Sequence, residues 1–186
     1  GQCYEQMSHG SFDGHFESYR FDGIEIFRED TNQVVQQYGQ PQAGTMTLAA
    51  LLNISDDGRF CGTPVTPDHY FFLRGGREFH FRTPPRVTMV AVTVDMERFA
   101  AYCQRVGELP PPGTCVDNGL IHKGEQDELG GVLTSLMQSL RHSPDMLRHD
   151  TLRRCLAEGI HSTAATEAAT ITAMTSQNHF IGGSES

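Results

Sequence analysis

The first half of the chain alternates apolar and polar positions in short runs, which is typical of β-strands. Two such runs, residues 12–21 and 24–31, are joined by Asp22-Gly23, a dipeptide that readily supplies the positive φ angles of a tight hairpin turn. In residues 45–54 one face is wholly apolar, and the other face includes polar residues. The apolar face consists of Met46, Leu48, Ala50, Leu52 and Ile54, and Thr45, Thr47 and Asn53 are among the residues of the other. The pattern predicts an antiparallel hairpin followed by a longer strand.

Proline and glycine separate the next strands. Residues 70–73 form an apolar run that is typical of a buried strand, and Gly75-Gly76 predicts the turn after it. In residues 79–82, two phenylalanines alternate with a histidine and an arginine, which indicates a half-buried strand. Residues 87–94 are apolar on both faces apart from two threonines, as expected for a strand that is covered on both sides.

Many short strands with turn signals between them indicate a small barrel or sandwich of the jelly-roll type. A parallel α/β fold is disfavoured because no helix-length segments lie between the strands. After Asp95 the hydrophobic period changes to that of a helix, for which Asp95 is a good N-cap and Gly107 a good C-terminal stop. The sequence therefore predicts an α+β fold, with a barrel first and helices after it.

Two further amphipathic helices follow, one over residues 129–140 and one over residues 152–160. Their apolar stripes predict a homodimer interface, and the alternative is that both helices only cover the barrel. The side chains assigned to this interface are Leu129, Val132, Leu133, Leu136, Met137 and Leu140.

Changes in composition divide the chain into three parts. We expect a barrel at residues 11–106, a helical dimerisation segment at 107–165, and a frayed or disordered tail at 166–186, where alanine, threonine and serine leave little to bury. Residues 109–113, three prolines flanked by leucine and glycine, predict a stiff connector.

Charge and composition narrow the range of functions. The net charge of −9 repels a phosphate backbone, so this chain alone is expected to bind nucleic acid poorly. Its apolar runs are far shorter than the roughly 20 residues that a membrane span needs. Five cysteines at wide spacings, without a CxxC pair, indicate reduced thiols and a cytoplasmic protein.

Motifs for catalysis or cofactor binding are not present in the sequence. It has no H-x-H pair of the kind that cupin metal sites use, no G-x-S-x-G nucleophile turn, and no glycine-rich phosphate loop. We therefore predict no metal, no cofactor and no enzyme activity. The alternative is a small cupin-type metalloenzyme, in which His15 and His69 would approach His80.

Four segments resemble the amino-terminal sensor domains of AraC-type bacterial transcription regulators, with most similarity to regulators of ethanolamine operons. They are FESYRFDG at 16–23, RE at 28–29, FCG at 60–62 and GGREFHFRTP at 75–84. The resemblance covers about half of the chain. It implies a cupin-like barrel that binds a small-molecule effector and forms a homodimer.

The same resemblance implies that DNA is bound only through a further, carboxy-terminal part with two helix-turn-helix units, which this chain lacks. We therefore expect this chain to be an isolated sensor domain or a shortened relative of these regulators.

The mouth of the barrel is the expected place for the effector, since pockets combine apolar walls with a few polar groups. The alternative is that the aromatic residues are ordinary core and the arginines are solvated. The expected walls are Tyr19, Phe21, Phe72, Phe79 and Phe81, and the expected polar anchors, suited to a carboxylate, are Arg74, His80 and Arg82.

Overall fold

Two antiparallel sheets face each other in the computed structural model, which describes residues 2–55, 57–108, 118–123 and 128–181, with backbone alone for 170–181. One sheet has five strands in the order β1-β4-β9-β6-β7, and the other has six in the order β11-β8-β5-β10-β3-β2. The strands are β1 (Gln2–Gln6), β2 (Gly14–Phe21), β3 (Ile24–Thr31), β4 (Val35–Gly39), β5 (Thr45–Ile54), β6 (Gly58–Phe60), β7 (Thr63–Val65), β8 (His69–Arg74), β9 (Phe79–Arg82), β10 (Val87–Asp95) and β11 (Gly119–His122).

The helices follow the sheets. They are α1 (Met96–Val106), α2 (Leu129–His142) and α3 (Asp150–Ile181), with a short 3₁₀ helix at Pro144–Arg148. The Asp95 carboxylate accepts a hydrogen bond from the backbone N–H of Arg98, and Gly107 ends α1 with φ +77°. Both caps of α1 are those that the sequence predicts, and the fold is the expected α+β type, a cupin-like jelly roll followed by helices.

Strands β5 and β10 lie in the middle of the six-stranded sheet and have two different environments. Val92 pairs with Leu48 and Ile26, and all three contact the helices, whereas Ala91 pairs with Ala49 and faces the opposite sheet. Side chains alternate between the faces of a strand, so each strand serves two cores. The run of apolar residues at 87–94 is explained by this double burial.

Helix α2 packs on the outer face of the six-stranded sheet. Leu129, Leu133, Met137 and Leu140 are between 0% and 3% exposed in the single chain, and they belong to the core that the sheet and the helices share. Their assignment to a dimer interface is thus corrected, because one barrel face already buries them. In the same stripe, Val132 and Leu136 are half-buried.

Three elements lie outside the expected limits of the barrel and of the helical part. Strand β1 precedes residue 11 and pairs with β4, and β11 lies within the expected helical segment but joins the six-stranded sheet beside β8. Helix α3 continues to Ile181, over most of the range expected to be a frayed tail. The proline connector lies outside the described residues, as do residues 182–186. None of the described helices is both long and apolar enough to cross a membrane.

Candidate ligand-binding cavity

A cavity of about 390 Å³ lies between the two sheets. On the six-stranded side its walls come from the inward positions of the strands, including Ala49, Phe71 and Met89. Phe60, Phe79 and Phe81 close it from the five-stranded side. Alanine on the central strand β5 leaves space that a larger side chain would fill, so the cavity follows from the residue sizes at the inward register.

The apolar walls are built from interlocked phenylalanines. The ring of Phe71 lies 4.7 Å from that of Phe60 and 4.9 Å from that of Phe81, both in tilted arrangements, and Phe60 stacks with Phe79 at 6.1 Å. Tilted rings at these distances attract each other through their quadrupoles. The cavity therefore has a stiff aromatic side, suited to the apolar part of a small molecule.

Polar groups occur at defined positions on the same surface. Thr47 and Thr93 lie opposite each other on β5 and β10, with their hydroxyl oxygens 2.7 Å apart. Arg20 and Glu25 form an ion pair of 2.8 Å in which the arginine side chain is 76% exposed and the glutamate 24%, so the pair lies where the cavity meets solvent. Hydroxyls inside and a charged pair outside give this cavity directional partners for a polar ligand.

A buried carboxylate lies directly behind the cavity wall. The side-chain amide of Gln37, which lines the cavity and is 3% exposed, donates to Oε1 of Glu29 over 2.5 Å. The hydroxyl of Tyr4 lies 3.4 Å from Oε2 and 2.5 Å from Oε1 of Gln2, so its one proton is shared between these two acceptors. Burial raises the pKa of Glu29 to about 7, even though the contacts with Tyr4 and Gln37 act in the opposite direction. Burial also raises the pKa of Tyr4, and the neighbouring Glu29 adds to that effect.

Of the eight side chains predicted to bind ligand, Phe79 and Phe81 line this cavity. His80 and Arg82 lie between them on β9, and both are exposed because alternate side chains of a strand point to opposite faces. The polar face of β9 therefore faces solvent, which corrects the expectation that His80 and Arg82 reach into the barrel.

The other four predicted side chains also lie away from the cavity. Phe21 and Phe72 are buried in the core beneath the helices, and Tyr19 packs against the same core while its hydroxyl donates to Glu17 over 2.8 Å. Arg74 ends β8, half-buried, and pairs with Met46 in register. All four residues lie on the face of the six-stranded sheet that the helices cover. Aromatic residues occur on both faces of this sheet, so their presence in the sequence does not show which of them face the barrel interior.

Sequence reasoning did not find Glu25, Gln37, Thr47 and Thr93 as site residues. The sequence does contain one indication of Thr47 and Thr93. Both interrupt apolar strands, and they lie on the same face as Ala49 and Ala91. A polar residue on the inward face of a buried strand marks a place where the core is not purely apolar.

The histidines considered as metal ligands are separated. His80 is on the five-stranded sheet, whereas His15 on β2 and His69 on β8 belong to the six-stranded sheet. The ring of His69 lies 4.3 Å from that of His122 in a tilted arrangement, and burial lowers the pKa of His69. Within the ranges that the structure covers, no three histidine, cysteine or acidic side chains group as metal ligands.

Comparison with known structures supports the fold. The crystal structure of CuxR, an AraC-like transcriptional activator, superposes with a TM-score of 0.56 at 10% identity over 90% of this chain and 61% of that one. The chain thus spans about three-fifths of the length of that activator. The cupin domain of an XRE-family transcriptional regulator from Enterobacter cloacae matches 44% of this chain and 95% of its own, with 14% identity and a TM-score of 0.37. EutQ from Clostridium difficile matches 46% of this chain and 64% of its own, with 12% identity and a TM-score of 0.35.

No family model and no curated protein matches the sequence. At 10% identity, the similarity to CuxR concerns the fold. Over most of its length, this chain is similar in fold to part of CuxR. Its own fold is a cupin-like barrel with helices packed on one sheet.

Proposed function

We propose that the chain is the ligand-sensing domain of an AraC-type bacterial transcription regulator and has no catalytic role. The observation that carries this proposal is the aromatic cavity inside the barrel, in a chain that shares its fold with an AraC-like activator. Its volume of about 390 Å³ falls within the range of small-molecule pockets, about 300–1,000 Å³.

The cavity favours a small organic effector with an apolar or aromatic body and at least one hydrogen-bonding group. The phenylalanines would contact the body, and the hydroxyls of Thr47 and Thr93 would bond to the polar group. The charged pair of Arg20 and Glu25 at the mouth is internally neutralised. An uncharged effector therefore fits this cavity better than the carboxylate suggested by the sequence.

DNA binding in the parent protein would come from a further part of the regulator, because this chain carries a net charge of −9. A homodimer remains part of the proposal, through surfaces other than the buried stripe of α2. Leu152 on α3 is 43% exposed and is one apolar contact available to a second copy. Light scattering of the wild type and of Leu152→Asp tests this, and a monomer mass for the wild type at micromolar concentration would contradict the dimer.

A thermal-shift screen of small organic compounds, followed by calorimetric titration of each hit, tests the sensing function. Thr93→Val keeps the side-chain shape but removes a hydroxyl from the cavity, so it should weaken binding about five- to tenfold, the usual worth of one neutral hydrogen bond. His80→Ala and Arg82→Ala, on the outer face of β9, are matched controls that should bind like the wild type. Equal binding by Thr93→Val and lost binding by Arg82→Ala would move the site to the outside of the barrel.

A further inference from the structure

A second groove, of about 560 Å³, lies between helices α1 and α3 and is distinct from the barrel cavity. Four arginine side chains line this groove. The chain as a whole is acidic, with 14 lysines and arginines against 23 acidic residues. Its charged and polar lining includes Arg98 and Arg105 from α1, Arg153, Arg154 and His161 from α3, and Asp22 from the β2–β3 turn.

Helical periodicity brings these side chains together. Arg98, Tyr102 and Arg105 follow the i, i+4, i+7 spacing of one helix face, and Arg154, Glu158 and His161 follow the i, i+4, i+7 spacing on the facing helix. Two faces that each carry arginine are thus opposed across the groove.

Two of the four arginines are already paired. Arg105 makes a bidentate contact with Glu158, at 2.7 and 3.3 Å, and Nε of Arg153 lies 3.1 Å from a carboxylate oxygen of Asp22. The guanidinium groups of Arg98 and Arg154 have no ion pair with any residue that the structure describes, and both side chains are exposed. Among the residues that line the groove, four arginines face two carboxylates, and Arg153 also pairs with Asp150, beside the groove, at 3.0 Å.

The same groove holds a buried polar atom without a partner. His161 is 7% exposed and lies 5.4 Å from the ring of Tyr102 and 5.9 Å from that of Phe99. Its Nε2 makes no hydrogen bond within the described part of the chain. Burial lowers the pKa of His161, which favours the neutral imidazole. Most buried polar atoms have a hydrogen-bond partner, so an unpaired one in the groove that Arg98 and Arg154 also line points to a partner from a bound molecule.

We propose that this groove binds the phosphoryl group of a small phosphate-bearing molecule. A phosphoryl dianion matches the two guanidinium groups that have no ion pair among the described residues, and its oxygens can accept from the planar forks of Arg98 and Arg154. A further phosphoryl oxygen can accept from Nε2–H of His161 in the tautomer that carries the proton on that nitrogen. The binding surface lies among the helices, whereas the proposed effector cavity lies between the sheets, so the two sites are independent.

This proposal is tested by calorimetric titration of the full chain with inorganic phosphate and with adenosine monophosphate. Both titrations are run at pH 7.5, with chloride salt added to keep the ionic strength constant. We expect saturable binding of both probes, with tighter binding of the nucleotide if the groove takes an ester. Arg98→Ala and Arg154→Ala should each weaken phosphate binding about tenfold or more, because each removes a charge-assisted contact. Arg86→Ala, at an exposed arginine outside the groove, is the matched control and should bind like the wild type.

His161→Phe separates a specific site from a general attraction between charges. It fills the same space between Phe99 and Tyr102 without a ring nitrogen, so it should weaken phosphate binding while the circular dichroism spectrum stays unchanged. The absence of saturable heat with either probe would overturn the proposal. It would equally be overturned if Arg86→Ala lost as much affinity as Arg154→Ala, since binding would then depend only on net charge.

Discussion

Replacing Glu29 by glutamine should stabilise the protein at alkaline pH and leave it nearly unchanged at acidic pH. Glu29 is 5% exposed and its pKa is about 7, against 4.5 for an ordinary glutamate. The folded state therefore binds a proton that the unfolded state has already lost. The contribution of this group to stability is full below pH 4.5 and is lost as the pH rises towards 7.

The size of the effect follows from the difference between the two pKa values. At about 1.4 kcal/mol per pH unit, a difference of about 2.5 units corresponds to about 3 kcal/mol. Glutamine carries no charge at any of these pH values and can still accept from Gln37 through its carbonyl oxygen. The variant should therefore escape this loss above pH 7.

Urea unfolding of both proteins at pH 4.5 and pH 8 measures the effect. The stability of Glu29→Gln relative to the wild type should be about 3 kcal/mol greater at pH 8 than at pH 4.5. Asp30→Asn is a neighbouring control of opposite sign, because hydrogen bonds from Arg28 lower the pKa of Asp30, so this variant should lose stability at pH 8. A relative stability of Glu29→Gln that does not change with pH would refute the buried, protonated carboxylate.

Three other outcomes follow from the structure. Leu133→Ala should lower the free energy of unfolding by about 2–5 kcal/mol, because Leu133 is 1% exposed on the sheet-facing side of α2, whereas Val106→Ala, at a residue that is 45% exposed, should change it by less than about 0.5 kcal/mol. A small effect of Leu133→Ala in urea unfolding would place α2 away from the barrel. Asp95→Ala should cost about 1 kcal/mol in the same assay through the lost N-cap of α1, and an unchanged midpoint would argue against that cap. In a gel-shift assay at physiological salt the chain should show no sequence-selective retention of duplex DNA, and a discrete shifted band for one sequence would contradict this.

Local signals in the sequence predicted the elements that depend on local geometry. Asp22 and Gly23 both adopt positive φ, at 47° and 77°, in the hairpin that their dipeptide indicated. Asp95 and Gly107 cap the two ends of α1, as the sequence predicts, because a helix cap depends only on hydrogen bonds and backbone angles within a few residues of the helix end.

Strands that depend on distant partners were missed. Strand β4 contains two glutamines and a tyrosine and has little apolar character, and it is held between β1 and β9 by backbone pairing. Strand β11 likewise exists through its pairing with β8, almost 50 residues earlier in the chain. Backbone hydrogen bonds between remote segments leave no periodic trace in a single sequence.

The sequence predicts a cavity inside the barrel, and of the eight predicted site residues Phe79 and Phe81 line the cavity between the sheets. The alternation of Phe79 and Phe81 with His80 and Arg82 shows that β9 has two unlike faces, and burial of the aromatic face is worth about 1.5–3 kcal/mol for each ring. Turning Arg82 inwards would instead bury a charge without a partner. The role of Glu29 depends on Tyr4 and Gln37, which reach it from two other strands, so its environment follows from tertiary packing alone.

Effector binding inside the barrel is tested most directly by filling the cavity. Ala49→Leu adds three carbon atoms to the inward face of β5, opposite Phe71, and the matched control Ala169→Leu makes the same change at an exposed position of α3. Calorimetric titration with the compound that best stabilises the wild type should show at least a tenfold loss of affinity for Ala49→Leu and none for Ala169→Leu, with both proteins folded by circular dichroism. Wild-type affinity in Ala49→Leu would contradict an effector site between the two sheets.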